Sequence, residues 1–499
     1  MIKPYRLALW LAAFALLFPA AAQRPSAALP APAFMLQAPE VGPVPAYRPP
    51  AAVRDQLPNG LKLVIVPDAR FPLVTARLAV RAGSSLLTPA QAGLAQAEAE
   101  LLTAGTPTLD ARQIAYAADS MGGAIAAAAD KDFITLRASS LAANADRMFA
   151  LLADVALRPT FPAAEVALRK ANLLQELRLE RSEPGFLARV QFDGLLFGDN
   201  PYAITAPTEA SIAAITRAGL AAYHARVFLP NNDATLVIAG DIGVGTARDL
   251  ARRYFGDWRF GEPPVPQFPA PPARPGRRIF LVNRPGSAQS TILLGNLGLE
   301  RNAADYFPFL VANEVLGGSF NSRLVSDVRE SKGFAYDIAS FNQPLLAGGV
   351  WQVETQVRTA VTAPALAAIL AQLDRIRQSP VTAPELEAAK NYLAGSFARQ
   401  LETQAEVADE FLMVEEFGLP RDYLARFVPR VQAVTAAAAQ AAAAKHIEPN
   451  RELVVVVGDA RRIAAGLARY SSAPIALYDD AGRFTGTYPS SGVRRVIQP

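Results

Sequence analysis

The sequence repeats itself. IAAITRAGLAAYHARVFLPNNDATLVIAGD, from Ile212 to Asp241, and VQAVTAAAAQAAAAKHIEPNRELVVVVGD, from Val431 to Asp459, share one plan. Each has a threonine N-cap (Thr216, Thr435), an alanine-rich helix, a Pro-Asn turn and an apolar strand closing on Gly-Asp. The openings match too, LKLVIVPD at 61–68 with RRIFLVNR at 277–284, and the offset between paired positions stays within 216 to 219. An offset held over a whole block excludes a chance run of alanine. The chain is two copies of one folding unit, so what constrains one copy constrains the other.

Proline sets the boundaries. Eight prolines fall between Pro25 and Pro50, and seven between Pro263 and Pro275 in EPPVPQFPAPPARPG. Proline lacks the amide donor and restrains its predecessor, so neither stretch forms a helix or an inner strand. The first is an extended leader over 23–51 and the second a semi-rigid linker over 259–277. They frame blocks at 52–258 and 278–487. Within a block, strands such as VTARLAVRAG (74–83) and DFITLRASS (132–140) alternate with helices over 109–121, 143–156 and 163–182, an α+β pattern that occurs twice. Ahead of the leader, Lys3 and Arg6 precede an apolar run from Leu7 to Phe18 that ends in Ala20-Ala21-Ala22. This has the form of a cleavable export signal over 1–22, too short to remain as a span, and it predicts a periplasmic protein without a stable membrane anchor.

Composition removes several chemistries. Without cysteine there are no disulfides, thiolate metal sites or cysteine nucleophiles. The two histidines, His224 and His446, lie 222 positions apart, so no local two-histidine zinc motif exists. Both end alanine-rich helices just before a Pro-Asn turn, where histidine caps carbonyls or packs at the surface. G-x-S-x-G is absent, no glycine-rich loop opens a helix after a strand, and a net charge of +4 gives no nucleic-acid footprint.

Two stretches carry the polar patterns that matter. Thr88-Pro89-Ala90-Gln91 predicts a helix over Pro89–Thr103 that stops at Gly105. In GLAQAEAELLTAGT, Gly93 to Thr106, Gln96, Ala99 and Glu100 share one face, which on spacing alone is a solvated polar face. In NSRLVSDVRESKGFAYDIASF, Asn321 to Phe341, a helix should stop at Gly333 and a strand begin at Phe334. Arg329 falls in the last helical turn, where the dipole favours a cation, and Tyr336 follows seven residues later. Leu316-Gly317-Gly318-Ser319-Phe320 reads as a turn between helices.

These stretches resemble the pitrilysin/insulinase family of zinc metallopeptidases, whose helix in this place reads G-L-A-H-x-x-E-H-x-x-x-x-G-T. The likeness takes in both blocks, including NGLKLVIV, NPYAITAPTEASIAAIT and both Gly-Asp endings. It implies two tandem homologous pitrilysin-type domains, each a mostly antiparallel sheet with helices on one face, forming a clam-like chain. It also implies a loss. Gln96 replaces the first zinc histidine, Ala99 the glutamate that activates water, and Glu100 the second histidine. Glu176, in NLLQELRLERSEP, stands where the family has its third ligand; otherwise it is a charged position of an amphipathic helix with Arg169, Lys170 and Arg178 nearby. Catalytic zinc wants three protein ligands with imidazole well represented, so no cofactor and no lone peptidase activity are expected of this chain.

In active relatives the C-terminal half presents an arginine and a tyrosine seven residues apart toward the zinc, and Arg329 and Tyr336 match that substrate-binding pair. Two-subunit members of the family divide zinc and the Arg/Tyr pair between chains. The resemblance therefore implies the noncatalytic subunit of an exported heterodimeric zinc metallopeptidase, with zinc in a partner chain of the same family and unfolded peptides as substrates. The alternative is a structural or peptide-binding protein that keeps the fold only.

Overall fold

The computed structural model describes residues 48–490; the expected export signal and nearly all of the leader lie outside the described residues. Six strands, β1 (Val53–Gln56), β2 (Lys62–Pro67), β3 (Leu73–Val80), β4 (Ala124–Ala129), β5 (Ile134–Leu141) and β6 (Thr235–Gly240), form a sheet in the order β1-β2-β6-β3-β5-β4. Seven more, β7 (Arg278–Asn283), β8 (Gln289–Leu297), β9 (Ala335–Leu345), β10 (Gly348–Arg358), β11 (Leu453–Gly458), β12 (Ile475–Tyr478) and β13 (Phe484–Tyr488), form a second in the order β13-β12-β7-β11-β8-β10-β9. The series β2-β6-β3-β5-β4 and β7-β11-β8-β10-β9 correspond. In each, the first pair is parallel and the others antiparallel. The sequence repeat is a repeat of topology. Residues 259–277, between the sheets, form neither helix nor strand.

The repeated helix ends fold as their capping residues direct. Thr216 and Thr435 accept the backbone N–H groups of Gly219 and Ala438 at 3.0 and 3.1 Å. One helix begins later than its sequence suggests. Thr88 and Gln91 form a capping box, but only a short 3-10 turn, Pro89–Gln91, follows, and the α-helix runs from Leu94 to Leu101. Gly93 breaks the two apart at φ +87°, where a Cβ would stand 2.9 Å from Cβ of Pro207. The close approach of a distant segment, not local propensity, sets that start.

Strand alternation gives each sheet two faces. In the first sheet Leu63, Ile65, Ala76, Leu78, Leu236 and Ile238 join the core of their own block. Val64, Val66, Arg77, Val237 and Ala239 alternate with them and are also buried. Their cover comes from the other block: the helix Gln404–Glu416 packs across β3 and β6. Arg77, only 5% exposed, gives Nε to Asp409 Oδ1 at 2.7 Å and Nη2 to the Ala405 carbonyl at 3.3 Å. Gln404 gives Nε2 to the carbonyls of Asp68 and Phe71 at 2.5 and 3.1 Å.

The exchange is reciprocal. The helix Pro184–Phe197 of the first block lies on β8 and β11 of the second sheet. Its Leu187, Phe192, Leu196 and Phe197 are buried with Phe280, Val282, Leu293, Val455 and Val457. Each such side chain contributes roughly 2 kcal/mol by leaving water. Each sheet thus has its own block's helices on one face and one helix of the opposite block on the other. No helix among the described residues is long and apolar enough to cross a membrane.

Candidate functional site

The helix Leu94–Leu101 lies against the helix Ala163–Glu180, which draws Glu100 and Glu176 together. A side chain already joins them. Arg169 places Nη2 2.7 Å from Glu100 Oε1, and its Nη1 and Nη2 donate to Glu176 Oε1 and Oε2 at 2.9 and 3.0 Å. Gln96 Nε2 reaches the same Glu100 oxygen at 3.4 Å. Ala99 is buried and offers no base. Burial lifts the Glu100 carboxyl above its ordinary value, the Arg169 charge draws it down, and Glu176 lifts it again. Among the described residues, no group of three His, Cys, Asp or Glu side chains is placed to hold a metal ion. An amide, a methyl and two carboxylates bridged by a guanidinium do not fit catalytic zinc, which takes three protein ligands and an open position.

Between Gln96 and Glu100 the same helix turns Glu98 inward. Glu98 is fully buried, and its Oε1 lies 3.0 Å from Nδ1 of His224. The His224 ring stacks on Phe228 at 4.4 Å and meets Phe161 edge-on at 5.9 Å. Burial lowers His224 to about 4 and pushes Glu98 well above its ordinary value. His446 also ends on a carboxylate, with Nε2 3.0 Å from Asp305 Oδ2. Both histidines sit at the helix ends named from sequence, but their partners, 126 and 141 residues away, were not legible there.

In the second block the backbone from Val325 to Ser331 winds as a π-helix, and Gly333, at φ +59°, turns the chain into β9. This brings Arg329 and Tyr336 together. The Arg329 guanidinium carbon stands 5.4 Å from the centre of the Tyr336 ring and 4.4 Å from that of Phe320. Tyr336 is 86% exposed and Phe320 63%. The cation therefore lies against two aromatic rings. Phe320, read from sequence only as part of a turn, is the ring the sequence reading missed. Tyr336 lines a cavity of about 730 Å³ with Glu183, Thr291, Phe341, Glu354 and Arg358. A separate cavity, of about 430 Å³, is lined by Gln96 and Glu100, by Ala127, Ala128 and Ala129 of the edge strand β4, and by Gln343 of β9. Glu100 and Tyr336 thus face different cavities of this chain.

Comparison with known proteins agrees with this geometry. Residues 63–192 match the profile of insulinase (peptidase family M16), and residues 214–393 that of the peptidase M16 inactive domain. The uncharacterized zinc protease YmxG of Bacillus subtilis is 25% identical over 351 residues, 69% of this chain and 83% of that protein. An uncharacterized zinc protease of Mycobacterium bovis is 28% identical over 356 residues, 70% of this chain and 80% of that protein. Among solved structures, a peptidase M16 inactive domain from Pseudomonas fluorescens aligns with a TM-score of 0.77 at 28% identity, covering 82% of this chain and 98% of that one. A protease from Helicobacter pylori aligns at 0.78 and 20% identity over 82% and 100% of the two chains, a likeness of fold. With two sheets of one topology, both profiles matched, and Gln96, Ala99 and Glu100 in the places of the zinc motif, the chain belongs to the insulinase (M16) family of peptidases as a member that lacks the zinc-binding residues.

Proposed function

We propose that this chain is the noncatalytic subunit of an exported, heterodimeric zinc metallopeptidase. One observation carries the reading: the face that holds Glu100 and Glu176 is closed by Arg169, while the half-buried Arg329 guanidinium stands against the exposed Tyr336 ring, which lines a cavity. A partner of the same family with an intact H-x-x-E-H supplies the zinc and the base that activates water. Arg329 and Tyr336 donate hydrogen bonds to the carbonyl oxygen of an unfolded peptide and stabilise the charge that gathers on it as water adds.

The groove beside β4 supports a second reading. β4 is the last strand of its sheet, and its six residues are five alanines and one isoleucine. Its outer N–H and C=O groups are open to a peptide added as a further strand. On this reading the chain holds peptides without any peptidase.

The test is to purify the chain alone and together with a zinc-bearing family member encoded beside it, then measure zinc and cleavage of a quenched peptide. The lone chain should show neither, and the pair both. Arg329→Ala and Tyr336→Phe should each slow the pair about 100-fold, the scale of one lost oxyanion donor, while the chains still co-elute. Zinc-dependent cleavage by the lone chain overturns both readings, and undiminished rates in both variants remove the assigned role. Peptide binding by the lone chain, with no cleavage by the pair, selects the second reading.

A further inference from the structure

Arg169 is more than a surface ion-pair partner. It stands on the helix Ala163–Glu180 two turns before Glu176, so the seven-residue step returns both side chains to one face. The residue is 8% exposed, whereas the Glu100 and Glu176 side chains are 39% and 49% exposed. The cation is buried and the anions reach toward solvent. Both oxygens of Glu176 are engaged by the guanidinium, and one oxygen of Glu100 is shared between Arg169 and Gln96. Arg169 Nε is buried without a partner, a cost that the chain bears only because three charge-assisted contacts offset it. The two carboxylates come from different helices, and without a cation between them they repel at short range in a partly dry site.

We propose that Arg169 is the resident cation of a two-carboxylate site, and that this side chain, in addition to the altered helix motif, closes the site to metal ions and small organic cations. The site without Arg169 carries two negative charges, the amide oxygen of Gln96 and a void the size of a guanidinium. Its ligands by chemistry are a guanidinium ion, which matches the forked geometry now observed, or a hard divalent cation held by oxygen. It follows that histidines at positions 96 and 100 with a glutamate at 99 do not by themselves restore a metal site, since Glu176 remains occupied. The inference concerns this chain alone and stands whether or not a partner exists.

The test uses the full chain with Arg169→Ala and Arg169→Met, probed with methylguanidinium and with Mn²⁺. Both variants should melt several degrees below the parent protein. Millimolar methylguanidinium should restore most of that loss in Arg169→Ala but not in Arg169→Met, whose side chain fills the void without charge. Mn²⁺ should bind Arg169→Ala at about one per chain and should bind neither the parent nor Arg169→Ala/Glu176→Gln. Parent-like melting of Arg169→Met, or a folded Arg169→Ala that takes neither probe, overturns the proposal. A second series keeps the question open to refutation if Arg169→Ala does not fold. The triple variant Gln96→His/Ala99→Glu/Glu100→His should purify without stoichiometric zinc, and adding Arg169→Ala should raise zinc to about one per chain. Stoichiometric zinc in the triple variant with Arg169 in place sinks the idea.

Discussion

The Tyr202 phenol donates to the Asp132 carboxylate, its oxygen 2.9 and 3.1 Å from Oδ1 and Oδ2, and accepts the Ala347 backbone N–H at 3.2 Å. Asp132 Oδ2 also accepts the Leu346 N–H at 3.2 Å. The turn between β4 and β5 is thereby fastened to the turn between β9 and β10, one block to the other. Burial pushes the Tyr202 hydroxyl far above its ordinary range, so it stays a neutral donor. Tyr202→Phe leaves Asp132 short of a donor and the Ala347 N–H without an acceptor, and should cost about 1–3 kcal/mol. Urea denaturation reads this directly. A midpoint equal to that of the parent means the joint contributes nothing.

Phe192 is fully buried on the exchanged helix Pro184–Phe197, among side chains of the second sheet. Phe192→Ala should cost about 3–5 kcal/mol. Its signature is where the loss appears: amide exchange in β11, which lies more than 250 residues downstream, should speed up together with exchange in the mutated helix. Faster exchange confined to the first block contradicts reciprocal cover.

Glu452 is wholly buried, both its carboxylate oxygens lack partners, and burial raises its pKa to about 8. The folded chain keeps that proton up to about pH 8, whereas the unfolded chain releases it near 4.5, so stability falls as pH rises across this window. The span corresponds to on the order of 4–5 kcal/mol. Glu452→Met should be more stable than the parent at pH 8 by a few kcal/mol and should match it near pH 4.5. Parallel pH–stability curves for the two proteins would falsify this assignment.

Glu98 and His224 form a coupled buried pair whose members pull in opposite directions. Glu98, raised by burial, contributes stability that is full below 4.5 and is lost as pH rises through its folded value. His224, lowered to about 4, contributes stability that is full above 6.5 and is lost as pH falls toward 4. Glu98→Gln keeps a hydrogen-bonding group beside His224 and removes only the first slope. Thermal melts from pH 5 to 8 should show the variant gaining on the parent as pH rises; a gap that stays constant refutes the assignment.

Much of the architecture was legible because it is local or periodic. The caps at Thr216 and Thr435, the apolar strands ending in Gly-Asp and the constant offset between blocks are set by residues that touch within one turn or one strand pair. Spacing placed Arg329 at a helix end and Tyr336 on the strand after Gly333, but only the family resemblance singled them out as a pair. What escaped were meetings across the chain. Amphipathic spacing in Pro184–Phe197 shows an apolar face but not that it covers the other block's sheet. The step from Arg169 to Glu176 lies on one helix, but Glu100 arrives from another. Gly93 breaks its helix because of Pro207, over a hundred residues on.

The two exchanged helices occupy equivalent places in their blocks, one ending 33 residues before the Pro230-Asn231 turn of the first copy and the other 33 residues before the Pro449-Asn450 turn of the second. Each block therefore leaves one face of its own sheet to be covered by a helix of the other. A chain cut within 259–277 should accordingly yield two fragments that are each missing a layer and are each other's only complement. They should be insoluble when made separately and re-form one particle when made together, because the cover each sheet lacks is carried by the other fragment.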